Sequence, residues 1–145
     1  MIDLQQTKKL QLIWPQARIN NSAVTVASVD RKGFNYATIR IAIGATDIGL
    51  TTFKLQESDD NTTFTDVPNA DFSISPLSLP SNTNSNTLWE WQIDLRAPRK
   101  RYLRPAITVG NGSAGAFLAA TAELSRAEQS PTTPTSQGLT GVATV

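Results

Sequence analysis

Apolar and polar side chains alternate along three stretches of this chain, at residues 35–44, 88–95 and 102–109. A period of two is typical of a β-strand with one buried face, so each stretch predicts such a strand. Pro105 cannot donate a backbone hydrogen bond, which predicts an edge position or a bulge in the third strand. The side chains expected to face the core are Ala37, Ile39, Ile41, Ile43, Trp89, Trp91, Ile93, Leu95, Leu103, Ile107 and Val109.

Shorter segments complete an antiparallel pattern. Their Ala content makes residues 116–124 compatible with a helix, but GNGSAG just before them is typical of a hairpin loop and favours a strand. Eight or nine short strands separated by turn signals predict an all-β, antiparallel β-sandwich over residues 16–124. The shorter predicted strands are residues 10–14, 23–29, 52–58, 62–67 and 116–124.

Three segments fall outside this pattern. Residues 1–15 are predicted to form an N-terminal arm or the first strand, and residues 73–87 are predicted to form a long polar loop with two prolines. Residues 125–145 are rich in Thr, Ser, Pro and Gly and follow neither period, so we expect them to form a flexible C-terminal arm. Two interpretations of this arm stay open, an arm that becomes ordered on a neighbour and a plain disordered tail.

Composition narrows the chemistry. The 145 residues fit one domain, with 39% hydrophobic and 17% charged side chains. The chain has no Cys and no His, which excludes disulfides, thiolate sites and the commonest general base, and leaves catalysis by carboxylates, Lys or Tyr open. The N-terminus lacks a long apolar core and no apolar run approaches about 20 residues, so we expect no signal peptide, no membrane span and synthesis in a cytoplasm.

Charge is divided into blocks although the net charge is only +1. Residues 1–54 carry seven basic and three acidic side chains, residues 55–95 carry seven acidic and no basic ones, and residues 96–145 carry six basic and two acidic ones. A net charge close to zero, with acidic and basic side chains in separate blocks, argues against a nucleic-acid-binding protein. It favours docking on complementary protein surfaces, copies of the chain itself included.

The stretch ESDDNTTFTDV, residues 57–67, concentrates four carboxylates and one amide. A calcium loop needs six to eight converging oxygens, and an EF-hand also needs a Gly and a terminal Glu that this stretch lacks. Asp and Asn are equally typical of turns. We therefore expect a tight turn at residues 59–61 between two strands, and no metal site.

Two further groups of residues have competing interpretations. The cluster RAPRKR, residues 96–101, could contact phosphates but is more typical of a solvated turn or a protein contact. Trp89 and Trp91 could form a carbohydrate platform, although such a pair more often fills a sandwich core. Carboxylates such as Glu90 and Asp94 show no spacing that selects a hydrolytic pair, so no catalytic residue is predicted.

The segments VDRKGFNYATIRIAIGATD and FKLQESDDNTTFTDV resemble small structural proteins encoded in tailed-phage head gene clusters. The resemblance covers about residues 28–70, with weaker agreement over residues 88–124. These proteins resemble head decoration, or cement, proteins and related auxiliary virion proteins. The resemblance implies a β-sandwich or jelly-roll fold, no cofactor and no catalytic residues.

The resulting expectation is a non-enzymatic virion protein on the phage head surface that bridges major capsid protein subunits. Multivalent contacts and self-association, most simply as a trimer, would give tight attachment. The alternative is a carbohydrate-binding β-sandwich module displayed on a virion or tail. The predicted contact residues are Leu4, Leu12, Trp14, Asp59, Asp60, Arg99, Lys100, Arg101, Leu139 and Val142.

Overall fold

A computed structural model describes residues 7–24, 26–128, 133, 135–141 and 143. Leu4 and Val142, two of the predicted contact residues, lie outside the described residues. Within them every regular element is a β-strand. The strands are β1 (Lys8–Ile13), β2 (Val29–Asp30), β3 (Phe34–Thr46), β4 (Leu50–Ser58), β5 (Thr65–Asp71), β6 (Thr87–Asp94), β7 (Tyr102–Val109) and β8 (Ala116–Ala127).

The strands form two antiparallel sheets of four. The first sheet has the order β1-β8-β3-β6 and the second has the order β2-β7-β4-β5. Buried apolar side chains of both sheets form one core cluster. The predicted antiparallel β-sandwich is confirmed.

The alternating stretches bury the faces that the sequence predicts. Every inward position named for β3 and β7 is buried, as are Trp91, Ile93 and Leu95 at the end of β6. Trp89 is partly buried and packs against the core. The two Trp rings of β6 meet Phe53 and Phe72 with centroids 4.8 to 5.9 Å apart, so aromatic packing fills this part of the core.

The largest differences between the predicted and the observed strand bounds occur at three places. Residues 116–124 are a strand as expected, but β8 continues to Ala127, past the predicted domain end at residue 124. Among the described residues of the predicted strand at 23–29, only Val29 belongs to a regular strand, because β2 consists of Val29–Asp30. The predicted strand at residues 62–67 begins at Thr65 instead, since the preceding residues belong to a loop.

Pro105 does not lie in an edge strand, because β7 has β2 on one side and β4 on the other. The missing donor is tolerated for a local reason. Val109 donates its backbone N–H to the carbonyl of Ser22, and the carbonyl of Ile107 accepts the N–H of Val24. Every second residue of a strand directs its backbone polar groups to the same side, so the nitrogen of Pro105 faces this side and not β4. β2 is only two residues long, and among the described residues no strand residue lies opposite Pro105 there.

A β-bulge in β1 determines the burial of two predicted contact residues, Leu12 and Trp14. The pairing with β8 shifts between Gln11, opposite Thr121, and Ile13, opposite Ala120. Leu12 and Ile13 are consequently both buried. Trp14, one residue later, is 72% exposed, as expected where a bulge changes the side to which the following side chains point.

Part of the C-terminal segment lies against β1 of the same chain. Lys9 donates its backbone N–H to the carbonyl of Gln137 at 2.7 Å, and Gln137 is buried. Gly138 has a φ of +77°, and a Cβ there would lie 1.9 Å from the carbonyl oxygen of Lys9. Residues 135–141 therefore contact their own domain through Gln137 and Gly138. No helix in the described part of the chain could cross a membrane.

Candidate functional site

The acidic stretch 57–67 is a hairpin, as predicted, but its turn is not tight. β4 and β5 pair with Glu57 opposite Thr65, and residues 59–64 form the loop between them. Asp60 organises this loop, because its Oδ1 accepts the backbone N–H groups of Thr62 and Thr63 at 2.9 and 2.8 Å and the hydroxyl of Ser58 at 2.8 Å. These hydrogen bonds lower the pKa of the Asp60 carboxyl well below its ordinary range.

The buried carboxylate of the stretch, Glu57, binds the basic turn of the same chain, by which we mean residues 96–101. Glu57 Oε1 lies 3.6 Å from Arg99 Nη1, and Glu57 Oε2 accepts the backbone N–H of Lys100 at 3.2 Å. Lys100 Nζ donates to the Thr65 hydroxyl at 3.0 Å. The acidic stretch and the basic turn, which we expected to attract each other between molecules, are therefore partly paired within a single molecule.

The neighbouring arginines are also engaged. Arg101 forms a two-pronged pair with Asp30, at 3.1 and 2.8 Å, which lowers the pKa of the Asp30 carboxyl. Arg96 binds Asp94 in the same way at 3.0 and 2.8 Å and lowers the pKa of Asp94 to about 2. A basic turn whose arginines already have carboxylate partners gains less from phosphates than its composition indicates.

The carboxylates of residues 57–67 do not converge on one point. Glu57 faces the basic turn, Asp60 faces its own loop, and Asp66 binds Lys54 and Gln56 at 2.7 and 2.9 Å. Among the described residues no three His, Cys, Asp or Glu side chains are placed to hold a metal ion.

Two predicted sites lie in the core. Trp91 is 6% exposed and donates its indole N–H to the Ala70 carbonyl, and Trp89 packs edge-on against Phe53 and Phe72, so the pair forms no sugar platform. The prediction that this pair fills the core is confirmed. Leu12, predicted as a partner contact, is 4% exposed, and that prediction is wrong because the bulge leaves it inside.

The structure brings two other predicted contact residues together. Trp14 and Leu139 line one groove of about 380 Å³ on the outer face of the first sheet. The groove runs over β1, β8 and β3, which contribute Gln11, Thr121 and Arg40 among others. One end of the chain thus supplies the aromatic side chain and the other end supplies the aliphatic one.

Beside this groove lies an apolar area that we call the outer patch, made of Leu88, Ala42, Ala119 and Phe117. Ala42 pairs with Leu88 on one side and with Ala119 on the other, so the three form a row across β6, β3 and β8. Leu88 is 71% exposed and Phe117 is 42% exposed. A shallow cavity of about 190 Å³ joins the patch to Pro15.

The predicted contact residues that the structure describes thus separate into three places, with Leu12 in the core and the others on two surfaces. Asp59 and Asp60 are exposed on the β4–β5 loop, near the basic turn of Arg99, Lys100 and Arg101. Trp14 and Leu139 lie in the groove, on a different surface. Sequence reasoning missed Leu88 and Phe117, although large apolar residues at the outward positions of alternating strands were the available signal.

In comparisons with known proteins, the chain matches no protein-family model and no curated protein sequence.

Proposed function

We propose that this chain is a non-enzymatic structural protein of a phage virion, a decoration or cement protein that binds the assembled head and bridges major capsid protein subunits. The resemblance over residues 28–70 supports the family, and the fold is compatible with it. The single observation that carries a binding role is the outer patch, where Leu88 and Phe117 expose apolar surface on a sheet face.

We interpret the strand order as that of a jelly roll. β1 pairs with β8, β2 with β7, β3 with β6, and β4 with β5. Such pairing is expected when one long hairpin of eight strands is rolled into two sheets, which is a common architecture of viral capsid and lectin domains. This supports the proposed virion role by analogy of fold alone.

In this proposal the shell docks on the outer patch and not on the basic turn. Glu57 and Asp30 already neutralise much of Arg99 and Arg101, so the turn adds little net attraction. Burial of Leu88 and Phe117 would each contribute on the order of 2 kcal/mol per copy. Several copies held together, with a trimer on a local threefold axis as the simplest arrangement, would multiply this modest affinity.

The experiment mixes the purified protein with heads of the encoding phage that lack it. We expect saturable binding at a fixed number of copies per head and an increase in the temperature at which the heads release DNA. Absence of saturable binding would contradict the proposal, and so would binding that leaves the stability of the head unchanged.

A further inference from the structure

The groove beside the outer patch has the chemistry of a sugar-binding site. Its volume of about 380 Å³ lies within the range of small-molecule sites, roughly 300–1000 Å³. Trp14 offers a broad, exposed indole face at one side, and the β-bulge is what places it there. Pro15 follows directly and restricts the backbone next to the indole.

The floor of the groove carries polar groups with unused hydrogen-bonding capacity. Among the described residues the hydroxyls of Thr38 and Thr121 and the carboxylate of Glu123 form no side-chain hydrogen bond and no ion pair. Arg40 uses Nε and Nη2 for Glu90, which leaves its Nη1 free to donate. Donors and acceptors therefore lie beside an aromatic face, as the hydroxyl-bearing edge and the C–H face of a sugar ring require.

The charges of the groove favour a neutral ligand. Arg40 is paired with Glu90 at 3.0 Å, and Lys9 lies opposite Glu123 in the pairing of β1 with β8. A phosphate or sulfate would find no surplus of cations here. A purely apolar ligand would bury the hydroxyls and the carboxylate without partners, at a cost of about 1–3 kcal/mol for each group.

We propose that this groove binds one or two rings of a neutral saccharide. One ring stacks its C–H face on the Trp14 indole, and its hydroxyls bond to Thr38, Thr121 and Glu123. This site differs from the excluded platform on Trp89 and Trp91, whose rings lie in the core. It also stands independently of the proposed role on the phage head, because neither Leu88 nor Phe117 lines the groove.

The test uses iodide quenching of tryptophan emission in the free protein. Trp91 is buried and Trp89 is partly buried against the core, whereas Trp14 is 72% exposed, so Trp14 contributes most of the accessible emission. Maltose, cellobiose, lactose and N,N′-diacetylchitobiose are titrated separately. We expect at least one of them to protect Trp14 from iodide with a saturating curve.

Variants then locate the site. Thr121→Val removes a hydroxyl, and Glu123→Gln replaces a charged carboxylate with a neutral amide that has only one acceptor oxygen. Each change should weaken binding of the protecting sugar about tenfold. Trp14→Ala should abolish binding. Saturation-transfer NMR on the sugar measures this loss, and circular dichroism checks that the variant is folded. Phe117→Ala, on the same sheet face but outside the groove, should bind normally. Protection by none of the four sugars overturns the proposal, as does protection that both Thr121→Val and Glu123→Gln leave unchanged.

Discussion

Glu57 and Arg99 form an ion pair, with 3.6 Å between Oε1 and Nη1, that joins the acidic stretch to the basic turn of the same molecule. Glu57 is only 8% exposed, and its second oxygen accepts the backbone N–H of Lys100. The pair therefore holds the β4 end against the turn that precedes β7. Its first consequence is for the stability of the monomer and not for assembly.

Glu57→Ala should destabilise the fold. The substitution leaves the N–H of Lys100 without its acceptor and Arg99 without its partner, at a cost of about 1–3 kcal/mol. Urea denaturation followed by circular dichroism measures the loss. Asp59→Ala is the matched control, because Asp59 is exposed and should change stability by less than about 0.5 kcal/mol. Equal stability of the two variants would show that the Glu57 contacts do not matter.

Asp60 and Asp59 should behave differently although they are adjacent. Asp60 accepts the N–H groups of Thr62 and Thr63, so Asp60→Ala should accelerate amide hydrogen exchange at both residues. Asp59→Ala should leave that exchange unchanged. Charge reversal at Asp59 therefore tests docking through this loop without disturbing the loop itself. Asp60→Lys would also disturb the loop, because Asp60 accepts two of its backbone N–H groups. Unchanged exchange in Asp60→Ala would contradict this account of the loop.

Acid should destabilise the protein. Arg101 lowers the pKa of Asp30, Lys54 lowers that of Asp66, and Arg96 lowers that of Asp94 to about 2. Since these values lie below the ordinary value of about 3.9 in an unfolded chain, the unfolded state binds protons first as the pH falls. The stabilisation is fully present above about pH 5 and is lost progressively from about pH 4 toward pH 2.

The urea midpoint should accordingly fall between about pH 6 and about pH 3. Asp30→Asn, which removes the most buried of these three carboxylates, should reduce the size of that fall. A midpoint that stays constant or rises on acidification would contradict the assigned direction of the shifts.

Gly138→Ala should detach the C-terminal segment from β1. The new Cβ would lie 1.9 Å from the Lys9 carbonyl oxygen, and the residue would also keep an unfavourable φ of +77°. Hydrogen exchange at Lys9 should increase, because its N–H loses Gln137 as acceptor. Gly141→Ala is the control, since no atom of the described residues lies within 4 Å of its added Cβ. Equal exchange at Lys9 in both variants would contradict the docking of this segment.

Alternation predicted the sandwich because it reports directly which side chains of β3, β6 and β7 are buried. It could not predict the bulge between Gln11 and Ile13, which depends on pairing with the distant β8. That bulge separates two residues that the sequence grouped together, with Leu12 inside and Trp14 outside. The ion pair between Glu57 and Arg99 is likewise a tertiary contact. The charge blocks of the sequence indicate that an acidic and a basic segment could meet, but they do not specify which residues pair.

The proposed role requires that the outer patch attach this protein to a phage head. The most direct measurement is a sedimentation binding curve on undecorated heads for the wild type, the double variant Leu88→Asp with Phe117→Ser, and Asp59→Lys. We predict saturable binding of the wild type, unchanged binding of Asp59→Lys and binding about a hundredfold weaker for the double variant. Wild-type protein that never saturates the heads, or a folded double variant that binds as well as the wild type, would contradict the claim.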